Sequence, residues 1–89
     1  MRYFRNLEKA HIETAGRVYF SILERVQGNW GQQFGDFDKK VVQQELRDMK
    51  DSGDAPAAKD LIIVCTVPGE AALKVAVADM NKNFPDGIS

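Results

Sequence analysis

The sequence has little of several features that would narrow its function. It contains one cysteine, Cys65, so no disulfide can form within the chain. Because small secreted domains commonly depend on disulfides, this scarcity favours a cytoplasmic protein. The basic and acidic residues almost cancel, which leaves a formal net charge of −1. Proteins that bind nucleic acid mainly by neutralising phosphates are normally strongly basic, so the balance argues against that class.

Long apolar runs are missing as well. No run approaches the roughly 18 residues that a membrane-spanning helix needs, and the charged residues 1–6 have no apolar signal segment behind them. We therefore expect neither secretion nor membrane insertion. What is present, a hydrophobic share of 44% over 89 residues, is typical of one globular domain covering residues 1–89.

The first half of the chain predicts a long helix followed by an ordered loop. Apolar residues recur at spacings of three to five from residue 7 to residue 26, which favours an amphipathic helix. Residues 16–26 also suit a strand by propensity, so both interpretations stay open there. Residues 28–37 hold three glycines and three aromatics, a composition typical of an ordered loop.

The second half predicts two more helices and one strand. Asp36 or Asp38 is suited to cap a helix that ends near Gly53, and the continuous apolar run 61–67 indicates a strand covered on both faces. Pro68 is suited to the first turn of the last helix. The predicted buried stripes of the two helices are Val42, Leu46 and Met49, and then Leu73, Val77, Met80 and Phe84.

These elements predict a small, mostly helical α+β fold in which about three helices pack on one short strand, 61–67. One strand is not a sheet, so its partner must be residues 2–5, the region around Tyr19, or the same strand of a dimer mate. A core this small supplies only about 3 to 5 kcal/mol of net stability, which favours a homodimer or higher oligomer.

The residue types that carry catalysis do not assemble into a recognisable motif. Cys65 lies within an apolar run, where desolvation suppresses the thiolate, so we interpret it as a core residue and not as a partner of His11. The acidic residues do not match the EF-hand calcium loop, and the glycines of residues 28–35 lack the ending of a phosphate loop. The sequence therefore predicts no catalytic residue, no metal site and no cofactor.

Two segments remain as candidate contact surfaces. Trp30, Phe34 and Phe37 are spaced by four and three among glycines, so they either complete the core or form a partner-binding surface. At the N-terminus, cationic and aromatic residues alternate in a pattern able to bind nucleic acid by charge and stacking. The residues of this second candidate are Arg2, Tyr3, Arg5 and Lys9.

By elimination we expect a non-enzymatic interaction or regulatory protein that acts as a homodimer by binding another macromolecule, with another protein as the expected partner. Small proteins of this kind include adaptors and inhibitors encoded by phages or other mobile elements. The first alternative is a nucleic-acid-binding protein that uses the N-terminal basic and aromatic segment. A small enzyme is the second alternative, and it ranks lowest because no acid, base and nucleophile come together in the sequence.

Overall fold

A computed structural model describes residues 18–53 and 56–88. Within them lie three strands, β1 (Tyr19–Val26), β2 (Asn29–Asp36) and β3 (Leu61–Thr66), and two helices, α1 (Lys39–Asp51) and α2 (Glu70–Asn83). A single 3-10 turn, Ala58–Asp60, leads into β3. The strands form one antiparallel sheet in the order β2-β1-β3. The described residues therefore form a small α+β domain.

β1 and β2 form a hairpin closed by a two-residue turn. Gln27 and Gly28 both have positive φ, 51° and 82°, which is the signature of the type I′ turn that suits the twist of a hairpin. Further along, Ile22 pairs with Phe34 but Leu23 pairs with Gln32, so one extra residue of β2 forms a bulge. Because of the extra residue, the even-numbered side chains of β2 lie on one face of the sheet before the bulge and on the other face after it.

The core is divided between the two faces of the sheet. Ile22 of the central strand β1 belongs to the cluster that packs on α1, and the next residue, Leu23, belongs to the cluster that packs on α2. The α1 cluster is Val18, Phe20, Ile22, Val42, Leu61 and Cys65, and the α2 cluster is Leu23, Trp30, Val64, Ala76 and Met80. The sheet is thus the middle layer between two helices.

The predicted arrangement of three helices on one strand is wrong. Residues 19–26 of the predicted first helix are strand, and most of the predicted loop 28–37 is β2. β1 is buried on both faces, so its sequence lacks the polar and apolar alternation that identifies a half-buried strand, and its spacing resembles a helical stripe. Residues 7–17 of that predicted helix lie outside the described residues, as does the possible N-terminal strand 2–5.

The later elements follow the sequence more closely. Asp38 begins α1, where its side chain accepts a hydrogen bond of 2.9 Å from the backbone N–H of Lys40, as one of the two expected caps. The apolar run forms β3, and its partner is β1, the Tyr19 region among the three alternatives. Pro68 precedes α2 by two residues and is not in its first turn, because Gly69 is the N-cap with a φ of 126°.

An ion pair connects the turn end of the hairpin to the residue that precedes β3. Arg25 Nε donates to Asp60 Oδ1 at 2.8 Å, and Arg25 Nη1 donates to the carbonyl oxygen of Pro85 at 3.2 Å. Both side chains of the pair are less than one-fifth exposed. Three segments distant in sequence therefore meet at one guanidinium, at the end of the sheet opposite Tyr19.

Candidate functional site

A cleft of about 250 Å³ lies where the start of β1 meets the start of α2. Its walls come from four parts of the chain: the beginning of β1, the middle of β2, the residue after β2, and the first turn of α2. The lining residues are Tyr19, Gln32, Phe37, Gly69, Glu70 and Leu73. Most of the exposed lining is apolar, with a phenol, an amide and a carboxylate among it.

Two aromatic rings form one side of the cleft. The centroids of Tyr19 and Phe37 are 4.9 Å apart, and their planes meet at 77° in an edge-to-face contact. The Phe37 side chain is 65% exposed, the highest value among the large exposed hydrophobic residues of the described chain. Tyr19 is half-buried, so the pair extends from the body of the domain to its surface.

The β2 side of the cleft depends on close packing across the hairpin. The Gln32 side chain donates from Nε2 to Ser21 Oγ at 3.2 Å, and Ser21 is fully buried. The side chains of Tyr19 and Gln32 both lie against Gly35, where a Cβ would stand 2.5 Å from Gln32 Nε2. A Cβ at position 35 would therefore displace the ends of both side chains, so glycine matters here for the space and not for its backbone angles.

Among the described residues that line the cleft, the charge is negative. Glu70, in the first turn of α2, is the only charged side chain among the six that line it. A carboxylate next to a helix N-terminus is favoured by the helix dipole, and it disfavours a ligand that carries phosphate or carboxylate. The arrangement can enclose an apolar group and offer it hydrogen-bonding partners at the edge.

Cys65 is a core residue, as its sequence context indicates. The side chain is 0% exposed within the α1 cluster, and burial raises the pKa of its thiol from 9.0 to about 12, an effect that the nearby positive charge of Lys39 reduces. The thiol is thus protonated at neutral pH. His11, its possible partner in the sequence, lies outside the described residues.

The three candidate aromatic residues do not share one surface. Trp30 is 3% exposed in the α2 cluster, where its indole Nε1 donates to the carbonyl oxygen of Phe84 at 2.9 Å. Phe34 packs, partly buried, against the α1 cluster on the other face. Only Phe37 presents its ring to solvent. Partner binding stays a prediction. Phe37 is exposed and could contact a partner, whereas the buried Trp30 cannot be the centre of such a surface.

The acidic residues at the start of α1 have local structural roles. Asp36 accepts a hydrogen bond of 2.8 Å from the backbone N–H of Asp38, which in turn caps the helix. Within the part of the chain that the structure describes, no three histidine, cysteine or acidic side chains group together as metal ligands would. The candidate nucleic-acid residues Arg2, Tyr3, Arg5 and Lys9 lie outside that part.

Sequence reasoning did not bring together the residues of the cleft. Tyr19 and Gln32 are assigned to a helix and a loop by the sequence, and Glu70 indicates only a helix start. The spacing of glycines at residues 31 and 35 around two glutamines was the one available signal, since isolated glycines in a strand often mark a bulge or a close approach.

Comparison with known proteins gives no family for this chain. It matches no protein-family model, no curated protein and no solved structure. Neither helix of the described residues is long and apolar enough to cross a membrane.

Proposed function

We propose that this chain is a non-enzymatic binding module that holds another protein at the cleft, with Phe37 as the main contact. The observation that carries the proposal is a large ring, 65% exposed, at the edge of an apolar concavity. Aromatic residues beside such concavities are typical anchors of protein interfaces, because they bury much area while few rotatable bonds are fixed.

The size of the cleft favours a side chain of a partner over a whole small molecule. Small-molecule pockets typically occupy about 300 to 1,000 Å³, whereas this cleft has about 250 Å³. An apolar side chain entering it would contact Leu73 and the Tyr19 ring, and polar groups of the partner would meet Gln32 and Glu70 at the edge. This division into an apolar centre and a polar rim is that of a small protein interface.

Charge favours a protein over a nucleic acid. The described residues carry ten acidic and eight basic side chains, and the only charge at the cleft is negative. Phosphate groups would therefore be repelled from the cleft. Binding of nucleic acid through the N-terminal segment is an outcome that the experiment below distinguishes.

Photo-crosslinking from the cleft, with a matched control, tests the proposal. A photoreactive phenylalanine analogue at position 37 should capture a protein, and the same analogue at position 75, where Val75 is 46% exposed, should not. The captured protein is then purified, and its affinity for the wild type, Phe37→Ala and Val75→Ala is measured by calorimetry with and without nuclease.

We expect Phe37→Ala to weaken binding by about 2 kcal/mol or more, roughly thirtyfold, and Val75→Ala to leave it unchanged. Equal affinity of the two variants would contradict the proposal. Loss of binding after nuclease treatment would favour the N-terminal nucleic-acid alternative instead.

A further inference from the structure

The two edges of the sheet differ in how well they resist pairing with another strand. The β2 edge contains a bulge, two glycines and several polar side chains, all of which discourage edge-to-edge association. β3 has the sequence LIIVCT, with no charge, proline or glycine, and its pairing with β1 is regular throughout. Within the described residues, no strand pairs with the outer edge of β3.

We propose that the outer edge of β3 pairs with β3 of a second copy, so that two sheets join into one antiparallel sheet of six strands. The inference goes beyond the proposed function, because β3 and β2 lie at opposite sides of the sheet and the contact at Phe37 follows β2. A second copy fits this edge because an identical strand brings no charged side chain to it.

Symmetry also favours a copy of the same chain. A two-fold axis perpendicular to the sheet pairs β3 with itself in antiparallel orientation and satisfies both edges with one contact. Among the described strands, the edges that remain are the two β2 edges, which are the protected ones. The dimer is therefore a closed assembly, because both β3 edges are paired and no further chain can add to them.

The same axis restricts the register. It keeps the two α1 helices on the same side of the joined sheet, so each β3 residue must lie opposite a residue of the second copy that faces the same side. The axis then passes through a residue paired with its own copy, and the greatest overlap of the two strands centres the pairing on Ile63 or on Val64. Ile62 and Ile63 point to opposite faces, and both are only partly buried in one chain. Pairing would bring each of them next to apolar residues of the second copy.

The contact is small, and this sets the expected strength of the dimer. A six-residue edge strand buries less than the roughly 800 Å² per partner of a standard interface. We therefore expect a reversible dimer that dissociates at concentrations on the order of micromolar or higher.

The test uses the full chain in two measurements. Sedimentation equilibrium from about 1 µM to 1 mM should show a monomer that becomes a dimer as concentration rises. In a mixture of isotope-labelled and unlabelled protein, filtered nuclear Overhauser spectra should show contacts between copies at the amides and Hα atoms of β3. The exchange with solvent of the β3 amides that point away from β1 should also slow as concentration rises.

A charge on the edge provides the matched variant. Ile63→Lys should weaken the dimer at least tenfold, whereas Val75→Lys, on an exposed helix position, should leave dimerisation unchanged. A monomer at every concentration would overturn the proposal. Contacts between copies that lie outside β3 would also overturn it. So would outward-pointing β3 amides that are equally protected at all concentrations, since a segment of the same chain would then occupy the edge. If Ile63→Lys does not fold, the filtered spectra of the wild type decide the question.

Discussion

The ring of Tyr19 lies so close to Gly35 of the neighbouring strand that a Cβ at residue 35 would stand 2.6 Å from the ring atom Cε2. Gly35 pairs with Ser21, so Tyr19 is its diagonal neighbour on the same face of the sheet. This close approach leaves the Tyr19 ring able to reach across β2 to Phe37. The shape of the cleft therefore depends on the absence of a side chain at residue 35.

Gly35→Ala is expected to displace the Tyr19 ring and the Gln32 amide. The added methyl group overpacks the hairpin, and we expect a loss of about 1 to 3 kcal/mol in the free energy of unfolding, measured in urea. Gly31→Ala is the control, because a Cβ there meets nothing within 4 Å, and it should change stability by less than about 0.5 kcal/mol. Equal effects of the two substitutions would show that the ring does not depend on Gly35.

Trp30 and Phe37 should respond oppositely to truncation. Trp30→Ala empties part of the α2 cluster and removes a hydrogen bond to Phe84, so we expect a loss of about 3 to 5 kcal/mol in stability. Phe37→Ala removes a ring that is 65% exposed and should cost less than about 1 kcal/mol. Chemical denaturation measures the loss in Phe37→Ala, whereas Trp30→Ala should show little or no cooperative transition, because its expected loss equals the net stability of a core this small.

The intrinsic fluorescence of Trp30 provides an independent check on this pair. Because the indole is buried, the native emission should be blue-shifted and protected from quenchers, and it should stay so in dilute, monomeric solution. A red-shifted, readily quenched emission would contradict the burial of Trp30.

The parts of the fold that sequence reasoning predicted are those with local signals. Asp38 indicates the start of α1, and the spacing of Val42, Leu46 and Met49 indicates its packed face. The run 61–67 is recognisable as a buried strand because it is apolar, β-branched and bounded by turn residues. Each of these patterns depends on residues close together in the chain.

The hairpin was not predicted because its signals are weak. Its turn has Gln27 at a position with positive φ, where asparagine, aspartate or glycine is usual, so the dipeptide does not stand out. β2 contains two glycines, an asparagine and an aspartate, residues of low strand propensity, and it is a strand because β1 pairs with it. The cleft depends on this pairing, so it could not be predicted either.

The buried thiol of Cys65 should make stability depend on alkaline pH. Burial raises the folded-state pKa to about 12 from 9.0, so the protonated thiol is favoured in the folded state. This contribution is fully present below pH 9 and is lost as the pH rises towards 12, at about 1 kcal/mol per pH unit.

Comparing wild type with Cys65→Ala isolates that effect from the titration of other groups. The variant should be less stable at pH 7 by about 1 to 2 kcal/mol, and the difference should shrink above pH 9 and change sign as the pH approaches 12. The native thiol should also react with Ellman's reagent only as fast as the protein unfolds. Rapid labelling at neutral pH, or a difference that does not vary with pH, would contradict the burial.

Two buried hydroxyls on the α2 face of the sheet should respond oppositely to their removal. Within the described residues, Thr66 Oγ1 has no hydrogen-bond partner although the residue is 1% exposed, whereas Ser21 Oγ accepts a hydrogen bond from Gln32. An unpaired buried hydroxyl costs desolvation energy without return, and valine has nearly the same shape as threonine. Thr66→Val should therefore raise the free energy of unfolding by about 1 kcal/mol, and Ser21→Ala should lower it by a similar amount.

Thr66→Ser is the control, since it keeps the unpaired hydroxyl, loses a buried methyl group and should destabilise the domain. A loss of stability in Thr66→Val would mean that the hydroxyl has a partner in solution, and urea denaturation of the three variants measures the outcome.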